Sequence, residues 1–329
     1  MENLISRRSF ISTTAALAAG ACAFGSLSAC SDSKVIIGSM PTEDILPFWV
    51  AESEGLFSKH NVETEIQLFD SAQSLTAALT SGDVQVAMTD VMRSVKLAVS
   101  GIDVRMEWIS LGTEASQGAF GVLASPKVRF TSLREMTELD SSEGVGIAAN
   151  TVPEYVFDML CRQQGFDSSA IPKEEVPSLA DRYSFLAEGR IVAAALPASL
   201  LYLGQANGMK IIAIDTEGEN LSQSVIISRA DKVNDNQLKN LRAAWDEAAN
   251  NINKTPENYR SLLVEKANLN ETIAETYPIS TYPLSSLDNG TSAYPDPALI
   301  TPQIEWMSYK GYTNTTVGYN GEDGKFSVG

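Results

Sequence analysis

Few side chains here could attack, chelate or shuttle a proton. The 329 residues include one histidine, His60, and three cysteines, Cys22, Cys30 and Cys161. A nucleophile needs a base beside it, and a metal needs several ligands at set spacing. His60 falls in a polar turn between an expected helix and an expected strand, and no Cys/His cluster has ligand spacing. Cys161 follows Phe157 at helical spacing within Tyr155–Cys161, which reads as a small core residue rather than a nucleophile. Acidic residues are plentiful, yet nothing marks two of them as a glycosidase-like pair. No catalytic group, cofactor or metal is expected, and binding is favoured over turnover.

Cys30 has a different chemistry available to it. Arg7-Arg8-Ser9-Phe10 precedes a weakly apolar stretch from Ile11 to Ala29, rich in Ala, Gly, Ser and Thr, that ends at Leu27-Ser28-Ala29-Cys30. A small residue before a cysteine at the end of such a run resembles a bacterial lipobox, whose thiol is acylated before the leader is cut away. The paired arginines resemble a twin-arginine (Tat) export signal. Residues 1–29 are therefore expected to be a signal peptide and 30–34 a lipidated tether, with the mature chain anchored by lipid on the outer face of the cell membrane. No other segment is long and apolar enough to span a bilayer. With Cys22 removed and Cys30 acylated, Cys161 would have no disulfide partner. The net charge of −17 speaks for solubility and against nucleic acid as a partner.

The elements that must position a site alternate along the chain. Val35–Met40, Val62–Phe69, Val84–Met88, Val104–Leu111 and Ala119–Ala124 read as strands; Ile45–Ser53, Ser74–Thr80 and Val91–Val99 read as helices. Such alternation predicts βαβ units and mostly parallel sheets with helices on both faces. The design then repeats. Leu79-Thr80-Ser81-Gly82-Asp83-Val84-Gln85-Val86-Ala87 is echoed by Leu186-Ala187-Glu188-Gly189-Arg190-Ile191-Val192-Ala193-Ala194, each ending a helix at glycine and entering a strand. Val35–Met40 is echoed in the same order by Val145–Ala149. Two lobes of one topology follow, the first from 35–118 plus 226–329 and the second from 119–225. After the strand Ser224–Ser228 the chain turns helical: Asn234–Asn253, a helix capped by Thr255 with Pro256 in its first turn, Asn270–Tyr277, and a last helix Gln303–Lys310 opened by Thr301-Pro302. These helices are expected to pack back on the first lobe, with the chain crossing between lobes near Gly118–Val122 and Gln223–Ile227.

Four motifs carry a family resemblance over most of residues 35–312: Leu46-Pro47-Phe48-Trp49-Val50-Ala51-Glu52-Ser53-Glu54-Gly55-Leu56-Phe57, Ser81-Gly82-Asp83-Val84-Gln85-Val86-Ala87, Ala195-Leu196-Pro197-Ala198-Ser199-Leu200 and Trp306-Met307-Ser308-Tyr309-Lys310-Gly311-Tyr312. Together they resemble the nitrate/sulfonate/taurine and thiamine-precursor class of substrate-binding proteins of ABC importers. The resemblance implies a two-lobed, type II-like periplasmic-binding-protein fold, a small-molecule solute in the inter-lobe cleft, and a partner permease with a cytoplasmic ATPase. The binding protein is expected to act as a monomer. No phosphate-binding Gly-Lys-Ser/Thr loop is present, so this chain is not the ATPase.

In open α/β sheets, ligands sit beyond the carboxyl ends of the strands, where helix N-termini converge. That rule selects the loops Met40–Asp44, Asp70–Gln73, Thr89–Arg93 and Thr113–Gln117 from the first lobe and Asn150–Tyr155 and Pro197–Tyr202 from the second, and within them Met40, Thr42, Ser71, Gln73, Thr89, Asp90, Arg93, Asn150, Thr151, Tyr155, Pro197 and Ser199. Asp44, Asp70 and Asp90 also suit helix N-caps, Asn150 or Thr151 must cap its helix, and Tyr155 and Tyr202 suit either a planar ligand or the core. The excess of acids over bases in these loops leans toward a neutral or amine-bearing solute. The rival readings are a surface sensor without transport and an enzyme such as a thiamine-pyrimidine synthase. Against the second, the relative that builds the pyrimidine uses an active-site histidine, and His60 lies on the side expected to face away from the cleft.

Overall fold

The computed structural model describes residues 34–118, 120–140, 143–287 and 293–329; the signal segment, Cys30 and the tether up to residue 33 lie outside the described residues. The described residues form one compact unit. Its first half alternates as the apolar runs dictate. β1 (Val35–Ser39), α1 (Leu46–Ser53), α2 (Leu56–Lys59), β2 (Thr64–Leu68), α3 (Ala72–Ser81), β3 (Val86–Asp90), α4 (Val91–Val99) and β4 (Val104–Leu111) come first. There follow β5 (Phe120–Ala124), β6 (Val145–Ile147), α5 (Val152–Gln163), β7 (Lys173–Glu175), α6 (Leu179–Glu188), β8 (Ala193–Pro197), α7 (Ala198–Ala206) and β9 (Lys210–Ile214). The chain ends with β10 (Ser224–Arg229), α8 (Asp235–Lys254), α9 (Arg260–Lys266), α10 (Glu271–Ala274), α11 (Pro297–Tyr309), β11 (Val317–Asn320) and β12 (Lys325–Val328).

Two sheets result, ordered β11-β12-β4-β10-β3-β1-β2 and β7-β6-β8-β5-β9. In the first, β1 to β4 and β11 point one way, and in the second β6 to β9 do. β10 runs antiparallel to both of its neighbours, β3 and β4, and β5 likewise to β8 and β9. β12 also runs against its neighbours, as the return strand of a hairpin with β11, while β10 and β5 share a different cause: each is the strand on which the chain enters a sheet after leaving the other. The echoed glycines behave alike, Gly82 ending α3 at φ 86° and Gly189 ending α6 at φ 68°, the left-handed conformation that closes a helix.

The passages between sheets are tied to each other. Asp215 accepts from the Phe120 N–H at 3.0 Å and from the Ser222 hydroxyl at 2.6 Å. The Gln117 side-chain oxygen accepts from the N–H groups of Gly112 and Thr113 at 3.1 and 2.9 Å, and the Asn220 amide donates to the Gly112 carbonyl at 2.7 Å. Gly112 has φ 99°, and a Cβ there would lie 2.1 Å from the Ser222 carbonyl oxygen, so both its conformation and the close approach of the returning chain demand glycine.

Helix α8 opens with a complete capping box between Asn234 and Gln237 and lays its apolar face on α1, where Phe48, Trp108 and Trp245 pack edge to face. Three expectations for this half need correction. The last helix begins at Pro297, with the Asp296 carboxylate accepting from Ala298 N–H at 2.8 Å; Asp296-Pro297 is the true start signal, and Pro302 is tolerated inside the helix. Thr255 makes no side-chain cap, and Pro256–Tyr259 forms a tight 3-10 turn ahead of α9. The Asn270–Tyr277 stretch holds only the short α10. The hairpin of β11 and β12, which extends the first sheet through β4, has no counterpart among the expected elements. Among the described residues no helix is long and apolar enough to cross a membrane.

Candidate functional site

The ends of three strands of the first sheet meet in an acidic corner. β1 leaves the sheet at Ser39, β3 ends at Asp90, and β10 enters at Ser224, directly opposite Asp90 in register. The turn after β1 carries Thr42, Glu43 and Asp44 into a 3-10 helix, Glu43–Ile45. The Ser110 hydroxyl donates to the Asp44 carbonyl and the Ser224 hydroxyl to the Asp44 carboxylate, which fixes that side chain at the strand ends.

Burial raises the Asp44 carboxyl above its ordinary range, with the Ser224 hydrogen bond opposing and Asp90 adding to the rise. Burial, with the neighbouring Asp44 charge, pushes Glu43 up to about 8, against the opposing pull of the nearby Tyr277 phenol. As a whole residue Glu43 keeps some surface, yet its Oε2 is closed from solvent and unpartnered, so the buried character governs the carboxyl. Neither Glu43 nor Asp44 forms an ion pair with a described residue. Tyr282 donates its hydroxyl to the Glu43 carbonyl at 2.7 Å. The Tyr277 ring meets Tyr202, from α7 of the second sheet's half, edge to face at 5.5 Å. The corner is thus walled on one side by aromatic rings from both halves.

On the other side, α4 and α5 bring their N-termini into play. Asp90 caps α4 by accepting from the Arg93 N–H at 2.7 Å, as its place between strand and helix suggests. Lys96 in α4 donates to the Asn150 carbonyl, just ahead of α5, at 3.0 Å. Burial lowers the Lys96 ammonium, and Asp90 partly offsets this. Asn150 adopts φ 59°. The expectation that Asn150 or Thr151 caps α5 through its side chain is corrected. Thr151 donates its hydroxyl to the Ala148 carbonyl, and it is the Glu154 carboxylate that accepts from the Asn150 N–H, at 2.6 Å. The Asn150 side-chain oxygen is buried without a partner.

The twelve sequence candidates separate on these facts. Met40, Thr42, Thr89 and Asp90 lie at the acidic corner's strand ends, with Asn150 and Thr151 at the facing helix. Pro197 ends β8 at the N-cap of α7, and Ser199 lies in that helix's first turn. Ser71 caps α3, correcting any N-cap role for Asp70, and Gln73 is exposed beside it. Arg93 turns toward α3, donating to the Ala72 carbonyl at 2.7 Å and the Thr76 hydroxyl at 2.8 Å, and with Gln73 lines an open groove along that helix. Tyr155 is 3% exposed, with burial pushing its phenol up to about 12, and it stacks edge to face on Trp306; its core alternative holds. Sequence reasoning reaches Glu43 only as part of the Met40–Asp44 loop, without singling it out, and misses Ser224, Tyr277 and Tyr282 as members of the corner. The adjacency Glu43-Asp44 at a strand end is the available signal; the tyrosines offer none.

The groups with nucleophilic promise lie elsewhere. His60 pairs through Nε2 with Glu247 of α8 at 2.8 Å, and Cys161 is fully buried, its thiol pushed up to about 12 by burial. Among the described residues no group of three or more His, Cys, Asp or Glu side chains is arranged to hold a metal ion.

No protein-family model and no curated protein matches the sequence. Solved structures do match its architecture. The periplasmic aliphatic sulphonate-binding protein SsuA from Escherichia coli superposes with TM-score 0.69 at 14% identity, over 85% of this chain and 88% of that one. The ligand-binding component of an ABC-type import system from Staphylococcus aureus, solved with zinc bound, gives 0.69 at 13% identity over 85% and 93%. The periplasmic nitrate-binding protein NrtA from Synechocystis PCC 6803 gives 0.67 at 14% identity over 85% and 82%. At these identities the likeness establishes the fold: the chain has the two-sheet α/β architecture of periplasmic binding proteins.

Proposed function

We propose that the protein is an extracytoplasmic solute-binding lipoprotein, anchored through Cys30 after Tat export, that captures a small organic molecule between its lobes and delivers it to an ABC permease. The lobes are 35–118 plus 226–329 and 119–225, and the unit acts as a monomer. One observation carries the reading: beside the strand ends holding Asp44 and Asp90, Lys96 of α4 reaches the Asn150 carbonyl and Tyr277 meets Tyr202, so residues of both sheets' halves border the acidic corner. A molecule lodged there touches both halves, and its differential affinity draws them together. That change of shape gives a permease a means of telling loaded protein from empty. The fold shared with SsuA, NrtA and the Staphylococcus aureus import component supports the same reading.

The test is recovery of solute from protein purified under native conditions and then denatured. A single small molecule of unchanged mass, whose uptake by cells falls when the gene is deleted, is the expected result; a chemically altered product would move the protein among the enzymes. Cys30→Ser should release the protein from membranes without altering solute binding. A wild-type N-terminal peptide carrying no lipid would defeat the anchoring claim.

A further inference from the structure

Five buried side-chain polar atoms among the described residues have no hydrogen-bond partner, and three of them are Thr42 Oγ1, Glu43 Oε2 and Asn150 Oδ1. Folded proteins leave few such groups, because each forfeits its hydration for nothing in return. Here the exceptions gather on the two loops that the fold sets at the lobe junction. Their chemistry is one-sided: the amide oxygen of Asn150 and the ionised carboxylate of Glu43 only accept, so what they lack is a donor. The neighbouring cations do not fill that need. Arg93 is spent on Ala72 and Thr76, and Lys96 on the Asn150 backbone carbonyl. At its carboxylate Asp44 receives the Ser224 hydroxyl and its own backbone N–H, and no cation among the described residues.

We propose that the captured solute carries a protonated amine, seated on the Glu43 and Asp44 carboxylates with the Tyr277 and Tyr202 rings alongside. This rests on the solute-capture reading and narrows it. An ammonium brings several donors and one positive charge to a place with unpartnered acceptors and two uncompensated carboxyl groups, and ring faces attract cations in their own right. An anion such as a sulfonate would face the same carboxylates at a cost.

Binding must then be coupled to a proton. Glu43 faces Asp44 in its own turn, Tyr277 and Tyr282 from the segment after α10, and Tyr202 from α7; Asp90 and Lys96 lie beyond Asp44. With Glu43 raised to about 8, an amine that holds its charge up to about 10 should bind more tightly as pH rises from about 6 to about 8.5.

Thermal shift and calorimetry on the mature chain test this with butylamine, putrescine and agmatine. Butanol, butyrate, butanesulfonate and nitrate are the matched controls, and magnesium, calcium and zinc are included as simple cations. The expected result is a saturable response to at least one amine. Its affinity should fall about tenfold or more in Asp44→Asn, the worth of one charge-assisted hydrogen bond, and its rise with pH should vanish in Glu43→Gln. A response to the anions or butanol alone would overturn the amine inference while leaving solute capture standing. A response to metals alone, to none of the amines, or to an amine equally in wild type and both variants would overturn it too. If protein from native cells also yields no solute on denaturation, the capture reading fails with it.

Discussion

Two carboxylates withdrawn from water, Asp158 in α5 and Glu43 after β1, have opposite surroundings. Asp158 is 5% exposed and receives the Trp306 indole N–H at 3.0 Å, the Lys310 ammonium at 3.1 Å and the Ser168 hydroxyl, with Lys173 at 4.0 Å. Lys310 also reaches Glu154 at 2.8 Å, and Tyr312 donates to Glu154 at 2.8 Å, so the end of α11 is bound to α5 by a satisfied network. Glu43 has one phenol, a neighbouring acid and an unpartnered oxygen. A buried charge that is fully met holds structure together, whereas one left unmet weakens the protein until something else meets it. The first pattern is what stability selects. The second is how a binding site looks.

The contrast gives opposite signs to two substitutions. Asp158→Ala leaves the Trp306 N–H and the Ser168 hydroxyl without that acceptor and takes one of two carboxylates from Lys310, which keeps Glu154, and should cost about 2–4 kcal/mol in denaturant unfolding. A loss under about 1 kcal/mol would erase the distinction. Glu43→Gln should stabilise instead, and only where the carboxyl is asked to ionise. A carboxyl at about 8 in the folded chain and near 4.5 unfolded contributes fully below pH 4.5, and that contribution is lost as pH climbs to about 8. The variant should therefore match wild type near pH 4 and exceed it by a few kcal/mol near pH 8.5, because each pH unit separating the folded and unfolded pKa is worth about 1.36 kcal/mol. Parallel stability curves would show that Glu43 ionises freely.

Smaller effects sharpen the same contrast. Burial pulls the Lys310 ammonium down, but Glu154 and Asp158 outweigh it and raise the group above its ordinary value. Lys310→Met should then cost roughly 1–2 kcal/mol in thermal unfolding, undiminished through pH 9, because the charge it removes is held throughout that range. Thr42→Val removes a buried hydroxyl that has no partner, and should change the melting free energy by less than about 0.5 kcal/mol either way. A large loss there would reveal a bond that the hydroxyl does make.

How much of this the sequence discloses depends on how local the signal is. β4 and α4 are legible to the residue, since an apolar run and a 3.6-residue stripe are complete within a dozen positions, and Asp90 between strand and helix announces its cap. The start of α11 is harder to place because two prolines compete for the first turn, and only Pro297 has a capping Asp296 whose carboxylate is placed to accept. β11 and β12 are so short that the alternation of Val317 with Tyr319 and of Phe326 with Val328 does not stand out from the loops around it. The acidic corner is half legible. Strand ends point to Thr42 and Asp90, but the pairing of Glu43 with Tyr277 joins opposite ends of the chain through a segment without periodicity. Nothing in the order of residues says which acids are met by a cation and which are not.

Hydrogen–deuterium exchange with and without the amine giving the largest thermal shift tests the central claim most directly, since capture between lobes must protect both walls at once. The account predicts slowed exchange in Thr42–Ile45 and Val91–Ser94 of the first lobe together with Val152–Tyr155 and Ser199–Tyr202 of the second. Protection confined to one lobe, or lying along the α3 groove of Gln73 and Arg93, would contradict it.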